Sequence, residues 1–138
     1  YYKNSVCAFV VYDVTNKNTF SNVKNWVDDC KKQTPKNVIM ILVGNKIDLE
    51  DKREVSFEEG ENFAKDNSML FYETSAKNGD NIENIFYDSA EIIAKKIDDG
   101  FYDLNRENCG IKIGLNPSET IILNEAKLTE NNNKGYCC

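Results

Sequence analysis

The chain is predicted to be an α/β protein, with three parallel strands joined by crossover helices and a disordered tail. Three observations predict this. The apolar runs Val6-Cys7-Ala8-Phe9-Val10-Val11-Tyr12, Val38-Ile39-Met40-Ile41-Leu42-Val43 and Met69-Leu70-Phe71-Tyr72-Glu73 lack polar alternation, as strands covered on both faces do. Between and after them apolar residues recur at helical spacing, and strand alternating with helix implies a parallel sheet with right-handed crossovers. Beyond about Asp103 all periodicity stops. The expected organisation is a folded unit over residues 1–103 and a flexible tail over residues 104–138.

In chain order, the first strand is expected to end at Asp13. Asn18 is then read as a helix N-cap, with Phe20, Val23, Val27 and Cys30 on the buried face until Pro35 prevents continuation. After the central strand, Ser56 with Glu59 three residues on forms a capping box. It opens a short helix whose inner side carries Phe57, Phe63 and Ala64. The last helix is expected to start near Asp80 and Asn81 and to carry Ile82, Ile85, Phe86, Ile93 and Ile97 in one stripe. Gly100, a favoured residue just past a helix end, stops it. Core packing is the default reading of these stripes.

The chemistry concentrates at two strand tips. Val43-Gly44-Asn45-Lys46-Ile47-Asp48 leaves the carboxyl end of the central strand, where open α/β sheets bind ligands. N-K-x-D suits guanine: the Asp48 carboxylate has two acceptor oxygens for the N1–H and the exocyclic N2–H. Adenine offers no such pair. Lys46 can lay its aliphatic stem along the ring, and Asn45 can fix the loop through its amide. The tetrapeptide alone is a weak match, since Asn, Lys and Asp are common in any strand-to-helix loop. The third strand, however, runs into Glu73-Thr74-Ser75-Ala76-Lys77, where a loop N–H, expected from Ala76, can donate to the guanine O6. The expected guanine-nucleotide site is therefore Asn45, Lys46, Asp48, Ser75, Ala76 and Lys77.

These residues resemble the Ras-like small GTPases, and within them the Rab branch. The resemblance rests on Tyr1-Tyr2-Lys3-Asn4, Val10-Val11-Tyr12-Asp13-Val14-Thr15, Trp26, the run from Gly44 to Asp48, Glu73 to Lys77 and the terminal Cys137-Cys138. Glu50 to Glu61 and Gly110-Ile111-Lys112-Ile113-Gly114 resemble the subfamily called Rab two. The resemblance implies that the folded unit is the C-terminal, guanine-binding half of a G domain. It also implies that the phosphate loop G-x-x-x-x-G-K-[ST], the switches, the catalytic glutamine and the Mg2+ ligands lie upstream of Tyr1. No catalytic or metal-binding residue is expected in the chain. The implied ligands are GTP and GDP, with Mg2+ in the complete protein.

Length and composition fit a piece of one small domain. The net charge of −6 and pI of about 4.7 argue against nucleic-acid binding. No apolar run is long enough to span a membrane, and the first residues do not form a signal peptide. Cys7, Cys30, Cys109, Cys137 and Cys138 have no metal-site spacing, and there is no histidine. Cys7 and Cys30 are read as reduced thiols. Residues 104–138 hold seven asparagines and four basic against four acidic residues, the composition of a tether. Ile121-Ile122-Leu123 within it is either a stray patch or a docking motif.

The terminal Cys137-Cys138 is read as a double geranylgeranylation site. The expected partners are a prenyltransferase with its escort protein and a GDP dissociation inhibitor, with membrane contact through the lipid anchor only. The leading functional expectation is a trafficking switch on the cytosolic face of ER–Golgi membranes, incomplete at its N-terminus. The rival is a non-catalytic truncated prenylated module that only engages prenylation and carrier proteins. In either case the chain alone is expected to be inactive as a GTPase.

Overall fold

The computed structural model describes residues 5–33 and 38–102. The elements follow in the order β1 (Cys7–Asp13), α1 (Lys17–Gln33), β2 (Ile39–Asn45), a 3-10 helix (Ile47–Lys52), α2 (Phe57–Asp66), β3 (Leu70–Thr74) and α3 (Ile82–Asp98). The three strands form one parallel sheet in the order β1-β2-β3, as their unalternating composition predicts. Among the described residues, no helix is long and apolar enough to cross a membrane.

The strand period of two sends alternate side chains to two cores. On one face Ala8, Val10, Tyr12, Met40, Leu42 and Phe71 pack against Val23, Val27 and Cys30 of α1 and Ala64 of α2. On the other, Ile39, Ile41, Val43 and Tyr72 pack against Ile85, Ile92 and Ile93 of α3. Cys30 is buried in the first of these cores and Cys7 packs, partly buried, against the second.

Several local expectations hold. Ser56 Oγ accepts the Glu59 amide at 3.2 Å and Glu59 Oε2 accepts the Ser56 amide at 3.0 Å, completing the capping box. Gly100 adopts φ 73°, and its amide and that of Phe101 donate back to the Ile97 and Lys96 carbonyls at 3.0 and 2.9 Å. This is a Schellman ending, which needs the left-handed residue that glycine supplies without strain.

Others need correction. Asn18 is not the cap of α1 but lies inside it: the helix begins at Lys17, and Asn16 Oδ1 accepts the Asn18 amide at 3.0 Å, the bond a cap makes two residues on. The expected stop at Pro35 lies outside the described residues. Phe57 and Phe86 are not core residues, being 51% and 61% exposed. Phe57 rests its ring on Phe71, and Phe86 meets Phe9 edge-on, so each covers a neighbour without being enclosed. Nor is β1 covered on both faces: Val11 is 58% exposed, because α3 lies mainly over β2 and β3.

Gly60 is the closest approach in the core. A Cβ there would stand 2.5 Å from both Phe71 Cζ and Tyr12 Oη, between two packed rings. Gly60→Ala should therefore lower stability by about 1–3 kcal/mol through overpacking. A denaturant melt checks this, and an unchanged midpoint would show that the rings yield freely.

Candidate functional site

The parallel register brings the carboxyl ends of all three strands to one row, pairing Asp13 with Asn45 and Asn45 with Thr74. The loops that leave these tips, 45–49 and 74–78, therefore face each other without any long-range adjustment. Between them lies a cavity of about 330 Å³ lined by Asn45, Lys46, Asp48, Leu49, Ala76 and Lys77. Five of the six residues predicted from sequence line it. The sixth, Ser75, is fully buried behind it.

Ser75 acts on Asp48. Its hydroxyl donates to Asp48 Oδ1 at 2.7 Å and accepts the Asn78 amide at 3.1 Å, so the carboxylate is anchored at one oxygen. A carboxylate oxygen has two lone pairs, so Oδ1 keeps acceptor capacity and Oδ2 adds more. Asn45 ties the loops together: its Oδ1 accepts the Ala76 amide at 3.1 Å and the Thr74 hydroxyl at 3.4 Å. The Ala76 N–H, expected to face a base carbonyl, is thus already directed at Asn45. An incoming carbonyl would share that hydrogen.

Lys46 has left-handed backbone angles, φ 75° and ψ 35°, a costly conformation for a non-glycine residue that tends to gather at ligand sites. The Leu49 amide closes the turn on the Lys46 carbonyl at 3.0 Å. The Lys46 ammonium pairs with Asp13 Oδ2 at 2.6 Å. Burial raises the Asp13 carboxyl, yet hydrogen bonds from Lys46 and Thr15 and the Lys46 charge outweigh it and hold the group below its usual value. A depressed carboxylate stabilises the fold at neutral pH and loses that contribution as pH falls through the depressed value.

Two features escaped the sequence reading. Leu49 lines the cavity as an apolar wall, and its only signal was its place immediately after Asp48. Arg53 braces the loop from behind. Its guanidinium meets Glu73 at 2.7 and 3.0 Å, takes Glu50 through Nε at 2.9 Å, and donates to the Val55 carbonyl at 3.0 Å. It thereby bolts the 3-10 helix carrying Asp48 to β3. The bidentate partner lies 20 residues away, and no local pattern marks it.

The cavity thus offers a fixed, acceptor-only carboxylate, a lysine stem, a leucine wall and a loop amide. This set fits a planar ligand with adjacent N–H donors on one edge. Among the described residues no three carboxylate, histidine or cysteine side chains gather to hold a metal ion. A sequence model of the Ras family matches residues 1–95 of the 138, covering all three strands and both loops.

Proposed function

The chain belongs to the Ras family, and from that premise we propose that its cavity binds the guanine base of GDP and GTP, with Asp48 as the specificity group. One observation carries this reading: Ser75 holds the Asp48 carboxylate at 2.7 Å in the wall of a cavity that the two strand-tip loops share. Asp48 takes the N1–H and N2–H of the base, and the Lys46 stem and Leu49 flank the ring. The Ala76 amide serves O6 while still bonded to Asn45, and Lys77 closes the same wall.

We assign the residues of this chain to reading the base, since its sequence contains no G-x-x-x-x-G-K-[ST] whose backbone amides would cradle phosphates. Phosphate contacts supply much of the affinity in nucleotide sites, so binding by this chain is weak. Titrating the full chain with GDP or ADP, and following the amides of Asn45 to Asp48 and Ser75 to Lys77 by NMR, tests the reading. GDP should move these amides and ADP should not. Equal responses would defeat the base assignment, and submicromolar GDP affinity would defeat the claim that the base pocket acts alone.

At a finer level, the Rab-like segments quoted above support a trafficking switch of the Rab branch, near its Rab two subfamily, at ER–Golgi membranes. Cys137 and Cys138 lie outside the described residues, and their role rests on the sequence. One lipid chain binds membrane only marginally unless a basic patch assists it. Residues 104–138 carry four basic and four acidic side chains, so no net positive charge assists here. Both cysteines are therefore geranylgeranylated, through a prenyltransferase and its escort protein, and a GDP dissociation inhibitor extracts the product. Intact mass of the cellular protein should show two prenyl groups, and one or none would contradict this.

A further inference from the structure

The geometry points to Asp13 as a positioning residue for the base pocket, acting through Lys46 without touching the ligand. The inference rests on the guanine reading above. Asp13 is not among the residues that line the cavity, but it ends β1 directly beside Asn45, one residue before Lys46. From there Asp13 Oδ2 reaches the Lys46 ammonium at 2.6 Å.

The carboxylate is itself held. Asp13 Oδ1 accepts the Thr15 amide at 2.9 Å and the Thr15 hydroxyl at 2.7 Å, while the Asp13 amide donates to Thr19 Oγ1 at 3.0 Å. Oδ2 therefore presents a fixed target. A lysine stem left to itself samples many rotamers, and a ligand that uses its aliphatic part must first order it. Here both ends are set beforehand: the backbone by the left-handed turn, and the ammonium by Asp13. Ordering the stem before the ligand arrives removes part of the cost of binding. Asp13 thus favours binding by pre-forming the wall against which the ring packs.

A double-mutant cycle on the full chain, with GDP as the probe and the loop amides as the readout, tests this. Asp13→Asn keeps an oxygen for Thr15 but removes the charge facing Lys46. It should weaken GDP binding about fivefold, the scale of a partly exposed ion pair. Lys46→Met keeps most of the stem and removes the ammonium. In that background Asp13→Asn should have no further effect. Thr15→Val, which frees Asp13 Oδ1, provides a milder arm and should weaken binding about twofold, again only with Lys46 present. Equal losses in both backgrounds, or no loss with Lys46 present, would overturn the positioning role and leave the guanine reading intact. A GDP titration that moves none of the loop amides in the unsubstituted chain would overturn both.

Discussion

Asp48→Asn should reverse the base preference of the pocket, from guanine toward xanthine nucleotides. Guanine presents two adjacent donors, N1–H and N2–H, to a group that can only accept. An asparagine keeps one acceptor and replaces the other with an NH2 donor. Xanthine has N1–H beside a carbonyl and matches that pair, whereas guanine would set its exocyclic amine against another donor. Polar sites that leave a buried partner unpaired discriminate strongly, so the ratio of GDP to XDP affinity should change by about 100-fold or more. The anchor is retained, since the Ser75 hydroxyl, 2.7 Å from Asp48 Oδ1, can equally donate to an amide oxygen. Competition between GDP and XDP measures the change. An unaltered preference would remove Asp48 from the specificity role while leaving the cavity in place.

Arg53→Ala should be the most damaging single change outside the apolar cores. The Arg53 and Glu73 side chains are only 17% and 12% exposed and meet through two parallel hydrogen bonds at 2.7 and 3.0 Å. Removing one partner leaves a largely buried carboxylate unpaired, a loss of about 3 kcal/mol or more. For a folded unit of this size that lowers the melting temperature by roughly 10 °C or more. Glu50, at 68% exposure, contributes little of this. Replacing both members, Arg53→Met with Glu73→Gln, should recover much of the loss, because no charge is then stranded. If the double substitution melts no higher than Arg53→Ala alone, the damage comes from the lost Val55 carbonyl contact rather than from the stranded charge. Loosening this brace should also speed hydrogen exchange at the amides of Asp48 and Leu49, since Arg53 joins their helical turn to β3.

The sequence by itself determined the elements whose cause is local. Unalternating apolar runs make the strands of a parallel sheet, Ser56 and Glu59 start α2 through bonds three residues apart, and Gly100 ends α3 because it tolerates a positive φ. The same locality made N-K-x-D and E-T-S-A-K visible, since each is one continuous loop at a strand tip. Even there a local reading erred by two residues at the start of α1: Asn16 and Asn18 are chemically alike, and only the path of the chain out of β1 selects Asn16.

Only the tertiary structure decided which groups meet across elements. Asp13 and Lys46 pair because the β1–β2 register sets Asp13 beside Asn45, and Arg53 meets Glu73 because β3 lies next to β2. Register is set by how whole faces pack, so no window of sequence contains it. The exposure of Val11 and Phe86 has the same origin. Their apolar character states what they would gain by burial, but α3 covers β2 and β3 more fully than β1, and that placement leaves these side chains at the margin of the core under α3.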